Sequence, residues 1–121
     1  MTWNDVFERS YIDQEVIEFM IEAQRKYTTG ILTNCDRESK VQIIDELELN
    51  HPFDYVLSSS DIGTVKPERE VFLGLLERIG VESGDCLFFD DSTANVEGAR
   101  AVGIKAHLYE GLTHLKKIVD I

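Results

Sequence analysis

The chain has 121 residues, and its 23 acidic residues outnumber its 12 basic ones to give a formal net charge of −11. This length suits a single domain over residues 1–121. The negative charge excludes nucleic acid and an anionic membrane as main partners, because both require a basic surface. No apolar run reaches the length of a membrane span, and Cys35 and Cys86 form no CxxC pair, so we predict a cytoplasmic protein with free thiols.

Short apolar runs alternate with amphipathic segments along the chain. In chain order, the runs predict strands at Ile31–Thr33, Phe53–Ser58, Cys86–Phe89 and Ile104–Leu108. The amphipathic segments predict helices that follow Asp13 and Asp36, run from Glu68 to Gly80 and from Ser92 to Gly103, and close the chain at Leu112–Val119. A polar loop is predicted between Ser58 and Pro67.

Alternating strands and helices indicate βαβ units, and therefore an α/β fold with a parallel sheet and helices on both faces. In such folds, ligands bind at the carboxyl ends of the strands. This rule makes site candidates of the polar residues that follow three strands, namely Thr33-Asn34, Ser58–Ser60 and Asp90-Asp91.

Three of the polar positions can carry chemistry. Asp90 and Asp91 place adjacent carboxylates at the end of a buried strand, where a hard cation would relieve their repulsion, unless they only cap the next helix. Thr33 and Asn34 can hold phosphate oxygens beside a helix N-terminus, or they form a turn. Lys66, in the loop before the third helix, can neutralise a phosphate or a carboxylate cluster, or it is a solvated surface lysine.

Three segments in order carry a family resemblance: ILTN, then VKPEREVF, then LFFDDSTANVEGARAVG. The series resembles motifs II, III and IV of the haloacid dehalogenase-like (HAD) hydrolase superfamily, in the subgroup of phosphoglycolate phosphatases and haloacid dehalogenases. The resemblance covers residues 12–121. It implies a Rossmann-like sheet and, at the level of the family, a Mg²⁺-dependent phosphatase that acts on a phosphorylated small molecule.

The resemblance also implies roles in binding phosphate. Thr33 would donate its hydroxyl to the transferring phosphoryl group, and Asn34 would shape the same pocket. Lys66 would be the catalytic lysine that balances charge between the phosphoryl oxygens and the catalytic carboxylate. These roles agree with the needs of phosphoryl transfer, which depends on charge neutralisation and positioning.

For the metal, the resemblance implies that Asp91 coordinates Mg²⁺ directly and that Asp90 supports it. Asn95, four residues after Asp91, would lie just behind these ligands. Relatives often carry Asp at that position, so the sequence departs from the family pattern there.

The first motif of the family, a strand that ends in DxDx[TV] and carries the nucleophilic aspartate, has no counterpart in the sequence. No two aspartates are two positions apart, and Asp5 follows no apolar run that could form the strand. The resemblance therefore implies a truncated core without its nucleophile, first strand and cap, and it predicts an inactive isolated chain. The alternative is a non-catalytic HAD-like domain that binds a phosphorylated ligand or a protein partner.

In relatives the missing strand lies mid-sheet, between the strands of motifs II and IV, where unpaired backbone groups are not tolerated. Three possibilities are open: the Thr33 strand pairs directly with the Cys86–Phe89 strand, a second chain covers the exposed edges in a homo-oligomer, or the chain is a fragment of a longer enzyme. Trp3, Phe7 and Tyr11 recur every four residues, which predicts a short N-terminal helix or the remnant of a cap.

Overall fold

Strands and helices alternate along the described chain, as the apolar pattern predicts. The computed structural model describes residues 2–3, 14–47 and 53–119. Its strands are β1 (Thr2–Trp3), β2 (Gly30–Thr33), β3 (Tyr55–Ser58), β4 (Leu87–Asp90) and β5 (Lys105–Leu108). Its helices are α1 (Gln14–Ala23), α2 (Arg37–Leu47), α3 (Ser59–Ile62), α4 (Arg69–Ile79), α5 (Thr93–Ala101) and α6 (Leu112–Ile118). Each predicted strand is present, with its limits shifted by at most two residues.

Every strand pair in the described ranges is parallel. β2 pairs with β3, so that Ile31 lies opposite Val56, and the helix that connects them is α2. β4 pairs with β5, so that Phe88 lies opposite Ala106, and the helix that connects them is α5. The fold therefore belongs to the predicted α/β class, with Rossmann-like parallel strands joined by helical crossovers.

Neighbouring residues of the strands face two different cores. Ile31 and Phe89 pack in one core with α1 and α6. Leu32 and Phe88 pack in the other with α4 and α5. Because successive side chains of a strand point to opposite faces, these two cores confirm that helices cover both sides of the strands.

The centre of the sheet differs from the predicted arrangements. β1 pairs with β4, with Trp3 opposite Phe89, and it also comes within 8 Å of β2 between Cα atoms, so it stands between β2 and β4. Direct pairing of the Thr33 strand with the Cys86–Phe89 strand is therefore wrong, and so is a helix that includes Trp3. Within the described residues, β1 pairs with Phe88 and Phe89 of β4. The described ranges leave out Asp5, Phe7, Tyr11 and Asp13.

Several helix ends follow the predicted capping residues. At the start of α2, Oδ1 of Asp36 accepts a hydrogen bond from the backbone N of Ser39 at 2.7 Å. At the start of α5, the Ser92 hydroxyl accepts one from the backbone N of Asn95 at 3.3 Å. Gly80 ends α4 with a φ of +70°, a left-handed conformation that glycine adopts without a Cβ penalty. In the described part of the chain, no helix is long and apolar enough to cross a membrane.

Candidate functional site

Lys66 is the buried charge around which the candidate site is built. It is only 6% exposed and enters from the segment between α3 and α4. Its Nζ donates to the carbonyl oxygen of Leu32 at 3.1 Å and to Oδ2 of Asp90 at 3.2 Å. Leu32 lies in β2 and Asp90 ends β4, so one ammonium group joins the two parallel sheets at their carboxyl edge. A solvated surface lysine at this position is therefore wrong.

Asp90 is the buried carboxylate that faces this ammonium. Its Oδ1 accepts a hydrogen bond from the backbone N of Ser92 at 2.9 Å, and its Oδ2 accepts one from Nδ2 of Asn95 at 3.0 Å. A carboxylate that is 1% exposed is strongly destabilising unless cations and donors surround it, and these groups supply them. Because Ser92 and Asn95 open α5, the same carboxylate also fixes the start of that helix.

Asn34 follows β2 and binds the main chain of Lys66 through both ends of its amide. Its Oδ1 accepts from the backbone N of Lys66 at 2.9 Å, and its Nδ2 donates to the backbone O of the same residue at 3.2 Å. Two hydrogen bonds to one residue fix both its position and its direction. The amide of Asn34 therefore contacts the lysine segment, and its contact with a phosphate stays a prediction.

Thr33 is the hydroxyl residue at the carboxyl end of β2. It is 1% exposed and lies opposite Ser58 of β3. Burial raises the pKa of the Cys35 thiol two residues further on, although a side-chain hydrogen bond with Thr33 opposes the shift. A raised pKa keeps a thiol protonated and poorly nucleophilic. Cys35 is therefore not activated for nucleophilic chemistry, and the contact of the Thr33 hydroxyl with a phosphate stays a prediction.

Asp91 comes directly after β4 and is exposed, whereas its neighbour Asp90 turns inward to Lys66. Among the described residues, no three or more His, Cys, Asp or Glu side chains form a group that could hold a metal by themselves. Zinc sites in proteins normally need such a group. Mg²⁺ takes one or two carboxylates and keeps several waters. The exposed carboxylate of Asp91 has oxygen atoms of the kind that Mg²⁺ takes, whereas both oxygens of Asp90 already accept hydrogen bonds within the site.

The third candidate segment, Ser58–Ser60, opens a helix that the sequence did not predict. α3 lies inside the expected polar loop, and Ser58 caps it by accepting a hydrogen bond from the backbone N of Asp61. Oδ2 of Asp61 also binds Nζ of Lys40 at 2.7 Å. Burial on its own would raise the pKa of Asp61, but hydrogen bonds from Lys40 and Ser58 outweigh it and lower that pKa. These side chains satisfy one another, so they hold α3 in place.

The structure brings four of the six predicted side chains into one hydrogen-bonded group, those of Asn34, Lys66, Asp90 and Asn95. Thr33 ends β2 and Asp91 follows β4, so both lie at the same carboxyl edge. Two contributors were missed. The carbonyl of Leu32 has no signal in the sequence. Gly98 of α5 lies against the segment that carries Lys66, since an added Cβ would be 2.7 Å from the Pro67 carbonyl oxygen. It does have a signal, because a glycine inside a helix costs about 1 kcal/mol relative to alanine and so indicates a close contact.

Comparison with known proteins assigns this fold and site to a family. The sequence profile of the haloacid dehalogenase-like hydrolases matches residues 3–108, which is most of the chain. The chain therefore belongs to the haloacid dehalogenase-like hydrolase family, as its three motifs predict.

One curated relative is a phosphatase of Mycobacterium tuberculosis, which is 38% identical over 91 residues. The match covers 74% of this chain and 42% of the relative, so the chain spans less than half the length of that protein. An uncharacterised protein of Corynebacterium glutamicum has a crystal structure that matches with a TM-score of 0.77 and 29% identity, covering 93% of this chain and 85% of its own.

A second solved structure shares the fold at lower identity. It is a HAD family enzyme of Bacteroides thetaiotaomicron, solved in complex with magnesium and inorganic phosphate. The TM-score is 0.78 at 22% identity, and the match covers 87% of this chain and 58% of the other. The parallel strands and their helices are thus the arrangement that HAD proteins use.

Proposed function

We propose that this chain forms the phosphate- and Mg²⁺-binding part of a HAD-family phosphatase. The observation that carries the proposal is the buried contact of Lys66 with Asp90 and Leu32, which fixes a positive charge at the carboxyl edge of the sheet. Ligands of parallel α/β folds bind at that edge. Support comes from the relative that is a phosphatase and from the structural neighbour that was solved with magnesium and phosphate.

Each side chain at this edge has a separate task in the proposal. The Thr33 hydroxyl donates a hydrogen bond to a phosphoryl oxygen, and the Lys66 ammonium offsets its negative charge. Asp91 binds Mg²⁺. Buried Asp90 holds Lys66 and the start of α5 in position beside it. A bound Mg²⁺ would add further positive charge for the phosphoryl oxygens. The chemical class of ligand is a phosphate monoester of a small molecule.

The proposal includes no hydrolysis by these 121 residues alone. The family mechanism begins with attack by an aspartate of a DxD motif, and no two aspartates in the sequence are two positions apart. The residues discussed above bind and neutralise a phosphoryl group, but none of them is a nucleophile aimed at phosphorus. A second candidate follows from the same fact: a non-catalytic HAD-like domain that binds a phosphorylated ligand or a protein partner.

Binding is tested by titrating the protein calorimetrically with Mg²⁺ and then with inorganic phosphate. We expect Asp91→Asn to weaken Mg²⁺ binding about tenfold, as the loss of a charged contact of about 1.4 kcal/mol would do. Asp85→Asn is the matched control, because Asp85 is exposed just before β4, at the opposite end from Asp91. Equal Mg²⁺ affinity in the wild type and Asp91→Asn, or no phosphate binding by the wild type, would contradict the proposal.

Turnover is tested with p-nitrophenyl phosphate in the presence of Mg²⁺. We expect no hydrolysis above that of a buffer control. Hydrolysis that Asp91→Asn abolishes would mean that the chain is a working enzyme and that inactivity is wrong. If Asp5→Asn also abolished it, Asp5 would be the carboxylate that replaces the missing nucleophile.

Self-association through strand edges is expected, because β3 and β5 are the outermost described strands of their sheets. Light scattering after size exclusion at several concentrations tests it, and a constant monomer mass would contradict it.

A cytoplasmic location is expected from the two free thiols, Cys35 and Cys86. Fractionation of cells that express the natural protein tests this expectation.

A further inference from the structure

We propose that Gly98 and Asn34 are positioning residues that clamp the Lys66-Pro67 turn from two sides and so set the place of the Lys66 ammonium. The inference deepens the proposed function, since it concerns the same phosphate site and rests on it. Neither residue needs to touch a ligand in this arrangement. Both act through the main chain of the segment that carries the lysine.

Gly98 forms the first side of the clamp, on the helix that begins at the site. A Cβ placed on Gly98 would lie 2.7 Å from the carbonyl oxygen of Pro67, 3.0 Å from Cε2 of Phe72 and 3.1 Å from Cβ of Pro67. The nearest of these atoms belongs to the backbone, which cannot rotate out of the way as a side chain can. α5 therefore approaches the Lys66-Pro67 turn as closely as it does only because residue 98 has no side chain.

The closeness of this contact determines the reach of Lys66. The ammonium bonds of 3.1 and 3.2 Å are already near the long end of the range for N–H···O bonds. Ordinary contact of a Cβ begins at 3.4 Å, so an added methyl group at Gly98 requires the Pro67 carbonyl to move by roughly 0.7 Å. We infer that a movement of that size in the adjoining residue lengthens the bonds of Nζ to Asp90 or Leu32, which have little distance to spare.

Asn34 forms the second side of the clamp, from the end of β2. Its two hydrogen bonds of 2.9 and 3.2 Å hold the backbone N and O of Lys66, so the turn cannot slide along the strand edge. An aspartate at this position would still accept from the Lys66 N–H but could not donate to its carbonyl. An alanine would make neither bond. The series asparagine, aspartate, alanine thus removes the hold on Lys66 in steps.

The chain contains glycines that serve as matched controls for Gly98. Gly84 is exposed, and a Cβ there would have no heavy atom within 4 Å. Gly74 lies in α4, where a Cβ would meet only the Ile62 side chain, at 2.6 Å from its Cγ2. Gly74→Ala therefore creates a tight contact with a side chain of α3 and not with the main chain of the lysine turn. A general loss of packing would affect Gly74→Ala as well, whereas the clamp predicts that, among the three glycine variants, only Gly98→Ala has an effect.

The test is the NMR signal of the Lys66 ammonium, because a buried and hydrogen-bonded ammonium exchanges its protons with water slowly enough to be observed. The wild type, Gly84→Ala and Gly74→Ala should retain this signal. Gly98→Ala and Asn34→Ala should lose it, with Asn34→Asp between them and the wild type. With Mg²⁺ present, Gly98→Ala and Asn34→Ala should also bind inorganic phosphate about tenfold more weakly. A loss of that size corresponds to the free energy of one charge-assisted hydrogen bond.

The two readouts separate this inference from the proposed function. If the wild type binds no phosphate, the proposed function fails, and the ammonium signal still decides whether the clamp exists. An unchanged signal in folded Gly98→Ala and Asn34→Ala would overturn the clamp. A wild-type ammonium that exchanges as fast as that of exposed Lys105 would overturn it too. Should Gly98→Ala fail to fold, the Asn34 series still gives a result, because Asn34 is exposed.

Discussion

At the scale of single residues, the ion pair of Lys66 and Asp90 is the feature on which the site depends. Their side chains are 3% and 1% exposed, so each charge has been taken out of water almost completely. A buried pair contributes little net stability compared with an apolar pair of similar size. Removing one partner, however, leaves the other charge buried and uncompensated. The pair therefore gains its importance from placing a charge at the sheet edge.

This asymmetry gives the first prediction. Lys66→Met should lower the free energy of unfolding by about 3–5 kcal/mol, because Asp90 would remain buried without its cation. Lys66→Met combined with Asp90→Asn should be more stable than Lys66→Met alone, since the unpaired charge is gone. Urea denaturation of both variants measures the difference. Lys105→Met is the control, because Lys105 is exposed on β5 and its loss should cost less than about 0.5 kcal/mol.

His107 gives a prediction about pH. Burial, followed by the nearby charges of Arg100 and His114, lowers the pKa of His107 below its ordinary 6.5. Below 6.5 the unfolded chain binds a proton that the folded chain resists, so stability falls as the pH drops from 6.5 through the folded pKa. His107→Gln should remove this part of the pH dependence. Urea denaturation above and below pH 6.5 tests it, and an equal slope in both proteins would contradict it.

At the scale of secondary structure, α5 depends on its first residues. The Ser92 hydroxyl caps the helix through the backbone N of Asn95, and the Asn95 side chain binds Asp90. Ser92→Ala should lower the free energy of unfolding by about 1 kcal/mol, the usual effect of losing an N-cap. Thr93→Ala is the neighbouring control, because Thr93 is exposed inside the first turn. Thermal unfolding followed by circular dichroism measures both, and equal midpoints would mean that the cap contributes nothing.

The longer elements of this fold are predictable because they carry their own signals. α4 has an apolar stripe that ends at Gly80, and its limits agree with the sequence within one residue. α3 has only four residues, too few for any periodicity, and its one sequence signal is the spacing of Ser58 and Asp61 in a capping box. β1 is described over two residues, too few to show an alternating pattern, and its place follows from its pairing with β4.

The site likewise combines features that the sequence predicts with features that it does not. Convergence of Lys66 and Asp90 at one edge follows from the parallel topology, because strand ends in such a sheet share an edge. That Asp90 is buried and Asp91 is exposed does not follow from the sequence, because the two carboxylates are adjacent and only packing determines which one turns inward. The bond of Asn34 to the main chain of Lys66 was also beyond sequence reasoning, because 32 residues separate the partners.

At the scale of the whole molecule, the described strands form two parallel sheets that meet beside β1. Lys66 joins them through Leu32 on one side and Asp90 on the other. In Lys66→Met, backbone amides of β2 and β4 should therefore exchange with deuterium faster relative to those of α4, because local opening at this junction becomes easier. Mass spectrometry of peptides from these segments measures the change. Lys105→Met should leave the pattern as in the wild type.

Lys66 lies between the two sheets, so the cation that is proposed to bind phosphate is also part of the contact between them. An anion bound at Lys66 uses the same charge that joins the two sheets. Phosphate binding and the stability of this contact are therefore thermodynamically linked. If the form with separated sheets binds no phosphate, bound phosphate stabilises the contact between the two sheets. Conversely, separation of the two sheets would weaken phosphate binding.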